Sequence, residues 1–101
     1  MKVKIEGNNA RIVPEENIDL TNAERLKQKF LELAEEKNIK NIILDFDRVK
    51  KIDSSGLGKL LLFNKIMKEK NGEIKIENVN SQYVKKVFNM VDLEETMDIN
   101  M

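Results

Sequence analysis

The chain of 101 residues contains no cysteine and no histidine. Without cysteine there is no disulfide and no thiolate-bound metal. Without histidine there is no Ser-His-Asp triad, no imidazole base and no histidine-ligated zinc. Neither sign of charge is in excess: Lys+Arg and Asp+Glu stand at 18 each, a formal net charge of zero. General nucleic-acid binders carry a basic surplus. No apolar run approaches the roughly 20 residues of a membrane span, and the opening stretch "MKVKIEGNN" lacks the apolar core of a signal peptide. These absences predict a cytoplasmic, soluble protein with no metal or cofactor, no direct nucleic-acid contact and no membrane partner. The length suits one domain with a single core, covering residues 1–101.

What is present alternates regularly. "VKIE" (Val3 to Glu6) has the two-residue period of a half-buried strand. "GNN" (Gly7 to Asn9) is turn chemistry, and "ARIV" (Ala10 to Val13) returns as the second arm of a hairpin. Pro14 marks a strand end or a sheet edge. Thr21 and Glu24 fit a capping box. Ala23, Leu26, Phe30 and Leu33 recur at helical spacing, so a helix is predicted from about Asn22 to Lys37. "NIILDF" (Asn41 to Phe46) reads as a central strand covered on both faces. Leu57, Leu60, Leu61, Asn64 and Met67 mark one face of a second helix, with Gly72 as its left-handed C-cap. "EIKIENV" (Glu73 to Val79) is another strand. Ser81 caps a third helix that turns Val84, Val87 and Phe88 inward, and "TMDI" (Thr96 to Ile99) is a last short strand. Phe30, Phe46 and Phe88 belong to the expected core, and Met67, Met90 and Met97 read as core or edge packing. The order β-β-α-β-α-β-α-β predicts an α/β fold, one mixed sheet of four to five strands with helices packed against it.

One stretch resists a purely structural reading. "KKIDSSGLGKLLLF" (Lys50 to Phe63) sets an acid, two hydroxyls and two glycines between a strand and an apolar helix. Asp53 suits the N-cap, with Ile52 and Leu57 forming a hydrophobic staple. Ser54 and Ser55 then lie in the first turn, near the positive end of the helix dipole. Gly56 and Gly58 each cost about 1 kcal/mol against alanine in a helix, so something should approach the backbone closely: a neighbouring strand, or another molecule. Tight packing plus capping is one account of the junction. A phosphorylation site is the other, because exposed N–H groups and the dipole favour an added anion there. Two alternatives, a serine hydrolase and nucleotide binding, are weaker. The nucleophile elbow G-x-S-x-G is absent, and "DSSGLGK" is not a phosphate-binding G-x-x-x-x-G-K-[ST] loop. Asp45, Asp47 and Asp53 fit loop and cap roles better than a Mg²⁺ site. Arg48, Lys50, Lys51 and Lys59 bracket the junction, either as ordinary solvated surface or as a steering patch.

"LDFDRVKKIDSSGLGKLLL" resembles the signature of STAS domains, especially the bacterial anti-sigma factor antagonists. Leu44-Asp45, Asp53, Ser54, Ser55, Gly56, Leu57 and Gly58 match that pattern in order. "NIDLTNAERLKQKF" and "VKKVFNMVDLEETMDI" extend the similarity over nearly the whole chain. The resemblance implies a single STAS domain without catalytic residues, a substrate of a kinase rather than an enzyme. Ser54 would be the phosphorylated serine. The unmodified form would bind an anti-sigma factor that is also a serine kinase, and a PP2C-type phosphatase would restore it after modification. Asp19, Asp53, Ser54, Ser55, Gly56, Leu57 and Gly58 would form the partner-binding surface, with Ser55 as local support. The alternative within the family is a non-catalytic scaffold subunit of a signalling or lipid-transport complex. Two departures stand out. The family's usual Gly-Glu-Leu-Asp is "ENID" here, with Glu16 in place of glycine. Many relatives also add a final amphipathic helix. This chain is expected either to manage without it or to have the exposed apolar surface covered by a partner, the second option motivating the expectation of a weak homodimer.

Overall fold

The computed structural model describes residues 1–100. In chain order the elements are β1 (Lys2–Glu6), β2 (Asn9–Val13), β3 (Asn17–Ile18), α1 (Leu20–Ala34), β4 (Asn41–Asp45), β5 (Lys51–Ile52), α2 (Ser54–Glu69), β6 (Glu73–Glu77), α3 (Gln82–Met90) and β7 (Asp98–Asn100). A 3₁₀ turn at Leu93–Glu95 precedes the last strand. The main sheet runs β1-β2-β4-β6-β7. Its hairpin, β1 with β2, is antiparallel and every other neighbour is parallel. The hairpin turns at Gly7, whose φ of 60° glycine adopts without steric cost. β3 and β5 pair in parallel as a separate two-stranded ribbon. This is the mixed α/β sheet that the element order predicts.

One face of the sheet carries the core. Ala10, Ile12, Ile42, Leu44, Ile74 and Ile76 are buried, as are Leu26 and Phe30 of α1 and Leu60, Phe63 and Met67 of α2. Phe30 and Phe63 stack with ring centroids 4.1 Å apart and fasten α1 to α2. On β4 the residues between, Asn41, Ile43 and Asp45, are only half-buried. The expectation of a central strand covered on both faces is therefore wrong. A polar lattice lies on the second face: Arg11 donates to Asp45 at 3.0 Å and to Glu77 at 2.9 Å, joining three adjacent strands.

The helices differ from expectation in phase and ends. In α2, Phe63 is buried while Leu61 is 46% exposed, so Leu61 does not belong to the inward face. An apolar run such as "LLLF" gives no phase by itself, and packing against Phe30 sets it. The left-handed residue at the end of α2 is Asn71, with φ of 59°, not Gly72. Asn71 N–H donates to Lys68 O at 3.1 Å and Gly72 N–H to Met67 O at 2.8 Å, the paired bonds of a Schellman motif. Gly72 is small for another reason: a Cβ there would stand 2.6 Å from Lys40 O. Met67 and Met97 are core residues, whereas Met90 is 74% exposed and packs in neither core nor edge.

Candidate functional site

The residues around Ser54 are organised by the β3–β5 ribbon. Asn17 lies opposite Lys51 and Ile18 opposite Ile52. Each strand is followed at once by an aspartate, and each aspartate caps a helix. Asp19 is the N-cap of α1, its carboxylate accepting from Thr21 N–H at 3.1 Å and Asn22 N–H at 3.0 Å. Asp53 is the N-cap of α2 as predicted, accepting from Gly56 N–H at 3.0 Å. The expected capping box of Thr21 and Glu24 does not form. A carboxylate that satisfies two orphan N–H groups at once starts the helix earlier, and α1 runs Leu20–Ala34 rather than about Asn22 to Lys37.

Asp53 reaches further than its own helix. Its second carboxylate oxygen accepts from Leu20 N–H, the first residue of α1, at 3.2 Å. Its backbone N–H donates to Ile18 O at 3.3 Å. One side chain thus satisfies the N-termini of two neighbouring helices and locks them side by side. Lys59 of α2 meets Glu24 of α1 at 3.4 Å on the flank of the same pair. Ile52 is buried and Leu57 packs partly buried against the core, in keeping with the staple.

The two glycines divide. A Cβ on buried Gly56 would collide with the carbonyl oxygen of Ile18 and stand 2.7 Å from Ile52 Cγ1. The ribbon itself is the close neighbour that this glycine admits. Around Gly58 a Cβ would meet nothing within 4 Å. No contact among the described residues accounts for that glycine, and it is exposed. Ser54 is exposed and Ser55 half-buried. Ser54, Gly58, Leu61 and Lys65 succeed one another at helical spacing as the exposed stripe of α2.

The other acids near the junction are engaged structurally. Asp45 accepts from Arg11, from Asn78 at 3.1 Å and from the Asp47 backbone N–H at 3.0 Å. Asp47 accepts from Asn80 at 2.8 Å. Among the described residues no group of three or more acidic side chains could hold a metal ion. No helix of the described residues is long and apolar enough to cross a membrane.

The family model of the STAS domain matches residues 1–101. The chain belongs to the STAS domain family. Solved structures share the fold. A putative anti-sigma factor antagonist of Thermotoga maritima superposes with a TM-score of 0.88 at 21% identity, covering 97% of this chain and 83% of that one. The Bacillus cell fate determinant SpoIIAA in its phosphorylated form gives 0.75 at 22% identity, over 99% of this chain and 90% of that one. The murine anion transporter Slc26a9 gives 0.73 at 16% identity over 95% of this chain and 16% of that one.

In this STAS domain the ribbon gathers Asp19, Asp53, Ser54, Ser55, Gly56, Leu57 and Gly58 at one end of the paired helices. Gly56 and Leu57 turn inward and the rest lie at or near the surface. One residue there escaped the sequence reading. Leu20 is 78% exposed, although its backbone N–H is held by Asp53. A single exposed leucine is ordinary in itself; this one stands at the helix end that Asp53 shares with Ser54. Its i, i+3 spacing to Ala23 continues the apolar stripe, so no sequence signal set it apart.

Proposed function

We propose that this STAS domain is an anti-sigma factor antagonist, a binding module with no catalysis of its own, switched at Ser54. With the hydroxyl free, it binds an anti-sigma factor that is also a serine kinase. Phosphorylation of Ser54 releases that partner, and a PP2C-type phosphatase resets the switch. The observation that carries the reading is an exposed serine at the first position of a 16-residue helix, on a platform rigidly fixed by Asp53. The likeness to antagonist structures supports it.

The physics of the switch is local. A phosphoserine adds nearly two negative charges. At the N-terminus of α2 the helix tolerates them, because free N–H groups and the dipole favour an anion. The partner does not tolerate them. Packed over Leu20, Leu61 and the bare backbone at Gly58, it meets a bulky dianion where a neutral hydroxyl had been. Asp53 and Asp19 add negative charge at the same end, so the modified surface repels any acidic group and presents a hydrated anion to any apolar one.

Incubation with the anti-sigma kinase and ATP should add a single phosphate, and Ser54→Ala should abolish it. Ser54→Asp should weaken partner binding by at least about tenfold, roughly 1.4 kcal/mol, with an unchanged circular dichroism spectrum. Unfolding of Ser54→Asp, or a phosphate found on Ser55, would sink the proposal. The second reading is a scaffold STAS subunit within a larger complex, which the likeness to part of an anion transporter favours. It predicts stable co-purification with that complex and no phosphate at Ser54.

A further inference from the structure

One edge of the main sheet is β1, and all five of its residues are exposed. Its register on β2 pairs Glu6 with Asn9 across the two-residue turn Gly7–Asn8. In such a hairpin the closing pair is hydrogen-bonded and pairs alternate from there. Lys2, Lys4 and Glu6 therefore direct their N–H and C=O groups to β2. Val3 and Ile5 direct theirs outward, to an edge with no partner strand among the described residues. The side chains of Val3 and Ile5 lie opposite buried Ile12 and Ala10 and so point to the helix side. There they are 38% and 55% exposed. They wall a groove of about 390 Å³ between β1 and α1, with Leu33 and Ile39 also lining it.

We propose that β1 pairs antiparallel with β1 of a second copy of this chain, fusing two sheets into one of ten strands. The charge pattern "KVKIE" is self-complementary in that arrangement. With the two-fold axis at Lys4, Lys2 faces Glu6 of the second copy, and Val3 faces its Ile5. Val3 and Ile5 are the residues whose outward N–H and C=O groups make the new ladder, so backbone and side chains select the same register. This register alone pairs all five residues. Its one unfavourable pair, Lys4 against Lys4, is eased because Glu6 already lies 2.8 Å from Lys4 on its own strand. Lysines on an edge strand ordinarily discourage pairing; here one of them meets an opposite charge. The joined grooves bring four apolar β1 side chains together beneath two copies of α1. This association is distinct from the Ser54 surface and does not rest on the reading given for it.

Sedimentation equilibrium of the full chain should show a reversible monomer–dimer system. Lys2→Glu should raise the dissociation constant about tenfold, since two facing pairs change from attraction to repulsion. The swap Lys2→Glu with Glu6→Lys should restore it, and Lys4→Thr should tighten it. Ile5→Pro removes an outward N–H without touching the ladder to β2 and should leave only monomer. Circular dichroism and thermal melting of each variant monitor the fold. A monomer at every concentration up to about 1 mM, or a dimer indifferent to Lys2→Glu and to the swap, overturns the proposal.

Discussion

Gly56 and Gly58 stand two residues apart and have opposite reasons to be glycine. Gly56 is fixed from within, since any Cβ would strike the Ile18 carbonyl. Gly58 has open space around it, so inside the isolated domain it only weakens the helix. Gly56→Ala should therefore destabilise by about 2 kcal/mol or more, the usual scale of overpacking against atoms that cannot move. Gly58→Ala should stabilise by ~0.5–1 kcal/mol. Urea unfolding of the two variants checks both signs. In the partner-binding assay Gly58→Ala should bind more weakly despite its greater stability, a combination that a purely structural glycine does not produce. An equal or tighter complex would show that no partner approaches the backbone there.

At the scale of elements, most boundaries were legible because apolar period and turn chemistry agree along the hairpin, β4, β6 and α3. The Ser81 cap on Val84 N–H, at 3.2 Å, was likewise readable from the sequence. The β3–β5 ribbon was not. A two-residue strand has no period, and its pairing spans residues 17 and 51. Missing it meant missing why α1 begins at Leu20. Lys70 illustrates the same limit: its ammonium donates to Ala34 O at 2.6 Å and to Glu36 O at 3.2 Å, closing the end of α1 from the end of α2. The lattice across β2, β4 and β6 was also hidden, since its members lie far apart in the chain. Burial pushes the Asp45 carboxyl up. Hydrogen bonds from Asn78 and the Asp47 N–H, with the Arg11 guanidinium, outweigh it and hold that carboxyl below its ordinary value of 3.8. A carboxyl held low contributes stability that is complete above the unfolded value and lost as pH falls through the folded one. Asp45→Asn should cost about 1 kcal/mol at neutral pH. The gap to the unmodified protein should shrink below about pH 4. Urea titrations at neutral and acid pH measure that gap, and a gap that widens on acidification would refute the assignment.

Across the whole molecule, the fold class followed from element order, and the position of Ser54 at the head of a helix followed from Asp53 as N-cap. The apolar Leu20 and the sharing of Asp53 between helices did not follow, because both depend on where β3 sets the start of α1. That sharing has a consequence for how the proposed charge at Ser54 would be sensed. Leu20 and Asp53 are 33 residues apart in sequence, yet one hydrogen bond joins them. The backbone amide of Leu20 is therefore a spectroscopic reporter built into the scaffold. In Ser54→Asp or the phosphorylated chain, its nitrogen-15 resonance should move, while amides at the far ends of both helices stay where they were. If Ser54 is modified as proposed, a protein gripping only the first turn of α1 would read the state of a serine it never touches.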